Sequence, residues 1–252
     1  MLRRLLSATL LWILASAALA QDRFLDAGGV RIRYVERGAG APVVLVHGFT
    51  ASIERGWIET GVLPDLARDY RVIALDLRGH GNSDKPREPR AYDELGLDVI
   101  RLLDHLGIER AHAVGYSLGG IIVLKLLTTH PQRFLSAVLG GAAYRRSRSE
   151  RSDRQAEAAA REIEAGMYRA LVVSTAPTDE APPTDETIRS RSREIAAASD
   201  LRAHAALMRA RRWPALELQV VPGAAHPTVH PRGLPRHAEF LAAIRRHVAR
   251  AP

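Results

Sequence analysis

"AHAVGYSLGGIIVLKLLTTH", residues 111–130, decides the fold. Residues 111–114 form a short apolar run of strand length, and residues 121–127 read as a strongly apolar helix. Between them stands Gly115-Tyr116-Ser117-Leu118-Gly119, a G-x-S-x-G pentapeptide. A strand that turns directly into a helix tolerates only small neighbours at the turn. Glycines two before and two after Ser117 meet that need. Ser117 then projects over the start of a helix. The Leu118 amide faces any charge that develops on a substrate oxygen, helped by the field of the helix N-terminus. A Gly-rich turn used only for tight packing is the competing reading. The strand-turn-helix context favours a nucleophile.

Upstream, Pro42 introduces a continuous run at 43–46, the pattern of a strand buried on both faces of a parallel sheet. His47-Gly48-Phe49 closes it. The Phe49 amide is the expected second oxyanion donor, because such a donor comes from a loop at this level of the sheet. The His47 side chain reads as a structural group that ties the loop. A second buried strand at 71–75 ends in the polar, Gly-rich "DLRGHGNSDKP". Residues 24–26 and 30–35, joined by Gly28-Gly29, read as a hairpin. Helices are expected at 58–68, with Val62, Leu63 and Leu66 inward, and at 92–106, stopped by Gly107. Residues 134–139 make a further strand. Strands alternating with helices predict an α/β fold, a doubly wound and mostly parallel sheet.

The character changes after Tyr144. Residues 145–213 are rich in Arg, Ala, Glu and Ser and favour helix, interrupted by the Pro-rich acidic "APTDEAPPTDE" at 176–186. Leu171-Val172-Val173 is the nearest approach to a strand there. A helical lid insertion is expected, with role-free surface helices as the alternative. The chain then reads "RRWPALELQVVPGAAHPTVHP" at 211–231, a strand at 216–221 that runs out onto His226. In the helix that follows, Phe240, Leu241, Ile244 and Val248 form one apolar stripe.

Composition narrows the function. The chain has 252 residues and no cysteine, so disulfides, thiolate metal sites and cysteine nucleophiles are excluded. Its charge of +8 comes almost wholly from arginine, since Lys85 and Lys125 are the two lysines. Those arginines are interleaved with acids, and aromatics make up 5% of residues, so a solvated surface is expected rather than a nucleic-acid interface. Residues 1–20 have the form of an export signal. Arg3-Arg4 precede a short apolar run, and Ala18-Leu19-Ala20 gives a small-x-small cleavage site. An uncleaved anchor is the alternative, but the apolar run is short for a span. Cleavage takes +8 to +6 and yields a periplasmic or secreted protein with no stable membrane insertion. The oligomeric state is open.

"VLVHGF", "VIALDLRGHGNSD", "GYSLGG" and "VVPGAAH" occur here in the order and spacing of the α/β-hydrolase superfamily, and the chain resembles its serine esterase-like branch. The resemblance covers about residues 24–144 and 214–250. It implies Ser117 as nucleophile, His226 as general base, the Phe49 and Leu118 amides as oxyanion hole, and Gly115 and Gly119 as the small residues of the nucleophile turn. It implies no cofactor. Branches with an aspartate nucleophile, such as dehalogenases and epoxide hydrolases, fit poorly because Ser117 holds that position. Asp76 and Asp84 belong to a motif that is mainly architectural in the family.

One part of the family pattern is missing. An acid normally follows one more strand, between the lid and the histidine strand. Here Pro214 leads straight into the run that ends at His226, so the acid-bearing strand reads as deleted. The other place where relatives carry the acid, after the preceding strand, holds Gly140-Gly141-Ala142-Ala143. Asp153, Glu162, Asp179, Asp185 and Asp200 remain in the lid and read as surface charges. His226, His230 and His237 suggest a metal, but Pro227 and Pro231 forbid the helix that H-x-x-x-H ligation needs, so no metal is expected. The expected activity is hydrolysis of an ester or related acyl bond of a small molecule. The alternative is a degraded, weakly active hydrolase that binds a small ligand or partner.

Overall fold

The computed structural model describes residues 22–142, 150–176, 181–210 and 234–249. Six strands form its sheet: β1 (Arg23–Asp26), β2 (Arg31–Arg37), β3 (Pro42–Val46), β4 (Arg71–Leu75), β5 (Ala111–Tyr116) and β6 (Phe134–Gly140). Their order is β1-β2-β4-β3-β5-β6. β1 and β2 pair antiparallel with each other, and β2 pairs antiparallel with β4. From β4 through β3 and β5 to β6 every pairing is parallel. This is the expected α/β architecture with a mostly parallel sheet.

Alternation along each central strand builds two cores. In β3, Val44 and Val46 face one layer while Val43 and Leu45 face the other. In β4, Ile73 and Leu75 join the first layer, and Val72 and Ala74 the second. Both sets are fully buried. That explains why these strands read as unbroken apolar runs. Helices α2 (Leu97–His105) and α3 (Leu118–Thr129) cover the first face. Helix α1 (Val62–Leu66) covers the second, joined by α8 (Leu234–Val248), which sets Ile244 and Val248 against β6.

Two helices differ from the sequence reading. The segment expected as one helix at 58–68 is a π-helical turn at Glu54–Ile58 and then α1, separated by Gly61 at φ +77°. Gly61 allows a left-handed residue that breaks the hydrogen-bond ladder. Val62, Leu63 and Leu66 still point inward. The helix expected at 92–106 starts later, at Leu97, after a 3₁₀ turn at Pro89–Tyr92.

Four helices follow β6: α4 (Glu150–Glu164), α5 (Arg169–Ser174), α6 (Asp185–Ala197) and α7 (Leu201–Arg209). Leu171-Val172-Val173 lies within α5, not in a strand. Local β-propensity is overridden because a helix there buries Val172 in an apolar cluster with Ala160, Ile163, Tyr168, Ile188 and Ala205. Thr184 and Asp200 cap α6 and α7 through side-chain acceptors for the Thr187 and Ala203 amides. α7 packs on α4 and on the 3₁₀ turn at Pro89–Tyr92. The strand read at 216–221 and the loop bearing His226 lie outside the described residues.

Candidate active site

Ser117 stands between β5 and α3 at φ +51°, ψ −115°. It and Thr50, at φ +64°, are the non-glycine residues with positive φ among the described residues. Thr50 lies in the loop after β3, two residues past Gly48. Such conformations are costly for residues that carry a Cβ, and they persist where the surrounding packing fixes them. The packing is explicit here. A Cβ on Gly119 would overlap the Val46 carbonyl, and one on Gly115 would overlap the Gly119 carbonyl. The Ser117 amide donates to the Gly140 carbonyl at 2.7 Å, which ties the turn to the end of β6.

The β3 loop closes on this turn. A Cβ on Gly48 would lie 3.2 Å from Ser117 Cβ, so the loop backbone touches the serine. Phe49 follows directly. Leu118 opens α3, where the first turn leaves its amide without an intrahelical carbonyl. Ser117 itself is half-buried, and its hydroxyl makes no hydrogen bond among the described residues.

His47 is fully buried beneath the loop. Its Nε2 accepts from the Leu77 amide at 3.1 Å, which leaves Nδ1 to donate to the Gly48 carbonyl at 2.8 Å. Burial, the larger effect, holds its pKa below the usual histidine value, while Asp76 opposes that shift. Both ring nitrogens are thus spent on holding the loop that carries Phe49. Asp76 is equally buried. It accepts from the Arg33 guanidinium at 2.9 Å and from the Ile53 and Asn82 amides at 2.8 Å each. Asp84 takes the Arg31 amide at 2.8 Å. Both aspartates brace loops.

Beyond Phe49 lies a group that the sequence reading did not single out. The rings of Phe49 and His204 are 4.6 Å apart, as are those of His204 and His80. Tyr168 and His204 Nδ1 share a hydrogen bond of 2.9 Å. His80 Nδ1 donates to the Arg78 carbonyl at 3.1 Å, and its buried Nε2 has no partner among the described residues. Burial depresses both imidazoles, His204 to about 4 and His80 well below its ordinary value. A pocket of about 560 Å³ opens on the Phe49 ring, lined by α4, α5, Met167, Tyr168 and Met208. Its residues are scattered along an Ala- and Arg-rich stretch. The one signal available from sequence was that Met167 and Met208 are the sole methionines after Met1.

Of the acids in the segment expected as a lid, Asp200 caps α7, Asp185 pairs with Arg169 at 3.1 Å and Glu162 lines the pocket. Asp153 lies in α4, and Asp179 is outside the described residues. β6 ends at Gly140, and Gly141 and Ala142 offer no carboxylate there. No cluster of His, Asp and Glu able to hold a metal occurs among the described residues. His226 and His230 lie outside them, and the His237 side chain is not described.

Residues 41–216 match the family model for the alpha/beta hydrolase fold. The chain belongs to the α/β-hydrolase family. Over 123 residues it is 41% identical to a dihydrolipoyllysine-residue acetyltransferase component of an acetoin cleaving system from Cupriavidus necator, covering 48% of this chain and 32% of that one. Over 126 residues it is 39% identical to a 2-hydroxy-6-oxo-6-(2'-aminophenyl)hexa-2,4-dienoic acid hydrolase from Metapseudomonas resinovorans, covering 48% and 42%. These matches span less than half the length of either relative. A solved hydrolase from Pseudomonas aeruginosa superposes with a TM-score of 0.65 at 27% identity, covering 90% of this chain and 87% of that one.

Proposed function

We propose that the protein is a serine hydrolase that cleaves a carboxylic ester or related acyl bond of a small molecule. The observation that carries this reading is Ser117 on a strained, positive-φ turn at the start of α3, with the Gly48 backbone against it. Ser117 Oγ attacks the acyl carbon as His226 takes its proton. The carbonyl oxygen becomes an oxyanion held by the Phe49 and Leu118 amides. Collapse expels the alcohol, which takes the proton from His226, and leaves an acyl-Ser117 ester. Water, deprotonated by His226, then releases the acid. The roles of His226 and of the two amides rest on the sequence pattern. Helices α4–α7 act as the lid. Export to the periplasm or medium is part of the proposal and rests on residues 1–20.

A fluorophosphonate probe tests the nucleophile. It should label the wild type and leave Ser117→Ala unlabelled; equal labelling of both overturns the assignment. A second reading, a weakly active relative that mainly binds its ligand, is favoured by the Gly140-Gly141-Ala142 stretch, which has no carboxylate where some family members carry the acid. Loss of the orienting acid costs roughly four orders of magnitude in characterised triads. Turnover of p-nitrophenyl acetate that is fast and lost in both Ser117→Ala and His226→Ala counts against this second reading.

A further inference from the structure

The pocket beside Phe49 has an unusual wall. Met167 and Met208 both face it, and they are the chain's sole methionines after Met1. They come from different segments, Met167 from the α4–α5 connection and Met208 from the last turn of α7. Ile163 and Leu171 complete an apolar lining, with Ala159 on α4 between them. A thioether on three rotatable bonds moulds itself to a flexible guest more readily than a branched or aromatic wall does. Phe49 joins this pocket to the chemistry. Its ring is part of the lining, while the Gly48 backbone just before it touches Ser117. Phe49 therefore borders the space between α4, α5 and α7 and sits one residue from the backbone that meets the serine turn. Gln155, Arg169 and Ser174 in the lining are exposed, so the pocket opens to water. Its volume, about 560 Å³, falls among small-molecule sites, which span roughly 300–1,000 Å³.

We propose that this pocket takes the straight aliphatic acyl chain of a medium-chain ester, and that Met167 and Met208 set the chain-length preference. The assignment rests on Ser117 as the acylated residue. Mostly apolar walls, with Glu162 the half-buried charge among the described lining residues, favour an alkyl chain over an anionic acyl group. A wet mouth makes the gain from each added methylene level off once the chain reaches Arg169.

Two measurements test this, one of them independent of catalysis. With p-nitrophenyl esters, kcat/KM should rise by up to about fourfold per methylene from acetate toward octanoate. Ala159→Phe, which narrows the pocket from α4, should remove that rise, so that the octanoate-to-acetate ratio of kcat/KM falls toward one. An unchanged profile in Ala159→Phe, or a flat wild-type profile, overturns the proposal. The second measurement uses methyl-¹³C-methionine in Ser117→Ala, titrated with octanoate and with acetate. The Met167 and Met208 resonances, assigned with Met→Leu variants, should both move with octanoate and stay still with acetate. No shift with octanoate overturns the pocket assignment whatever the chemistry. A shift with octanoate in a protein whose wild type shows no Ser117-dependent turnover instead overturns the hydrolase reading and leaves the chain-binding pocket standing.

Discussion

The His204 imidazole on α7 lies 4.6 Å from that of His80 in the loop after β4, with the ring planes 36° apart. Both rings are buried, and the contact fastens the helical layer to the sheet loops through uncharged surfaces. His47, Phe49 and Tyr168 surround the pair, with Asp200, Lys85 and Arg55 as the charged groups that act on His204.

This contact makes stability depend on acid. In the unfolded chain a histidine titrates near 6.5, whereas burial lowers His204 to about 4 in the folded protein. Between those values the unfolded state binds the extra proton. Stability is therefore fully present above about pH 6.5, falls as the pH drops toward about 4, and changes no further from this group below that. His204 alone accounts for about 3 kcal/mol of the loss, with His80 adding in the same direction. Urea unfolding at about pH 7 and about pH 4.5 reads it. His204→Phe should shrink the difference between the two pH values relative to wild type, and an equal difference in both proteins would exclude the effect.

Ser117 stores strain that a glycine would release. At φ +51° a Cβ is unfavourable, so Ser117→Gly should be about 1 kcal/mol more stable than Ser117→Ala, although both lose the hydroxyl. Thermal melts of the pair decide this. A Ser117→Ala protein as stable as Ser117→Gly would mean that the turn relaxes freely.

The turn's glycines should be unequal to other glycines. Gly119→Ala forces a methyl into the Val46 carbonyl and should cost more than about 2 kcal/mol, lowering both Tm and soluble yield. Gly29 also has a positive φ, +81°, but nothing lies within 4 Å of its missing Cβ. Gly29→Ala should cost only about 1–2 kcal/mol, the ordinary left-handed penalty. If Gly119→Ala is the milder of the two, the close packing of turn on strand is wrong.

Asp76 should matter for folding rather than for chemistry. It is a buried carboxylate that faces the buried Arg33 guanidinium and two backbone amides. Asp76→Ala leaves the buried Arg33 paired with Asp22 and Glu54 alone, orphans the Ile53 and Asn82 amides, and should cost about 3 kcal/mol. The joint change Arg33→Met with Asp76→Leu should cost clearly less. Denaturant midpoints of the three proteins test the ordering, and a double variant as unstable as Asp76→Ala refutes it.

Much of this molecule was legible from local pattern. The runs at 43–46, 72–75, 111–114 and 134–139 are strands because a strand covered on both faces needs apolar residues at nearly every position, and the exceptions His112 and Ser136 hydrogen-bond each other at 2.8 Å. The turn at Ser117 was legible because its glycines stand at fixed offsets from the serine, although the group that excludes a Cβ at Gly119 is the distant Val46 carbonyl. Reading failed where local preference was weak or opposed by packing. Gly61 split a helix that its apolar spacing had joined, and Leu171-Val172-Val173 went into helix α5 because the cluster around Tyr168 and Ile188 required it.

The sequence by itself determined the fold class, the family and the serine at the turn, since each depends on residues close together in the chain. Only the tertiary structure decided what surrounds that serine. It turned Asp76 into a brace for Arg33, set His204 against His80, and gathered both internal methionines on one pocket wall beside Phe49. Those contacts join residues far apart in the chain, whose pairing leaves no periodic trace. They are fixed by how the helices after β6 pack onto the sheet, and packing is a property of the whole chain.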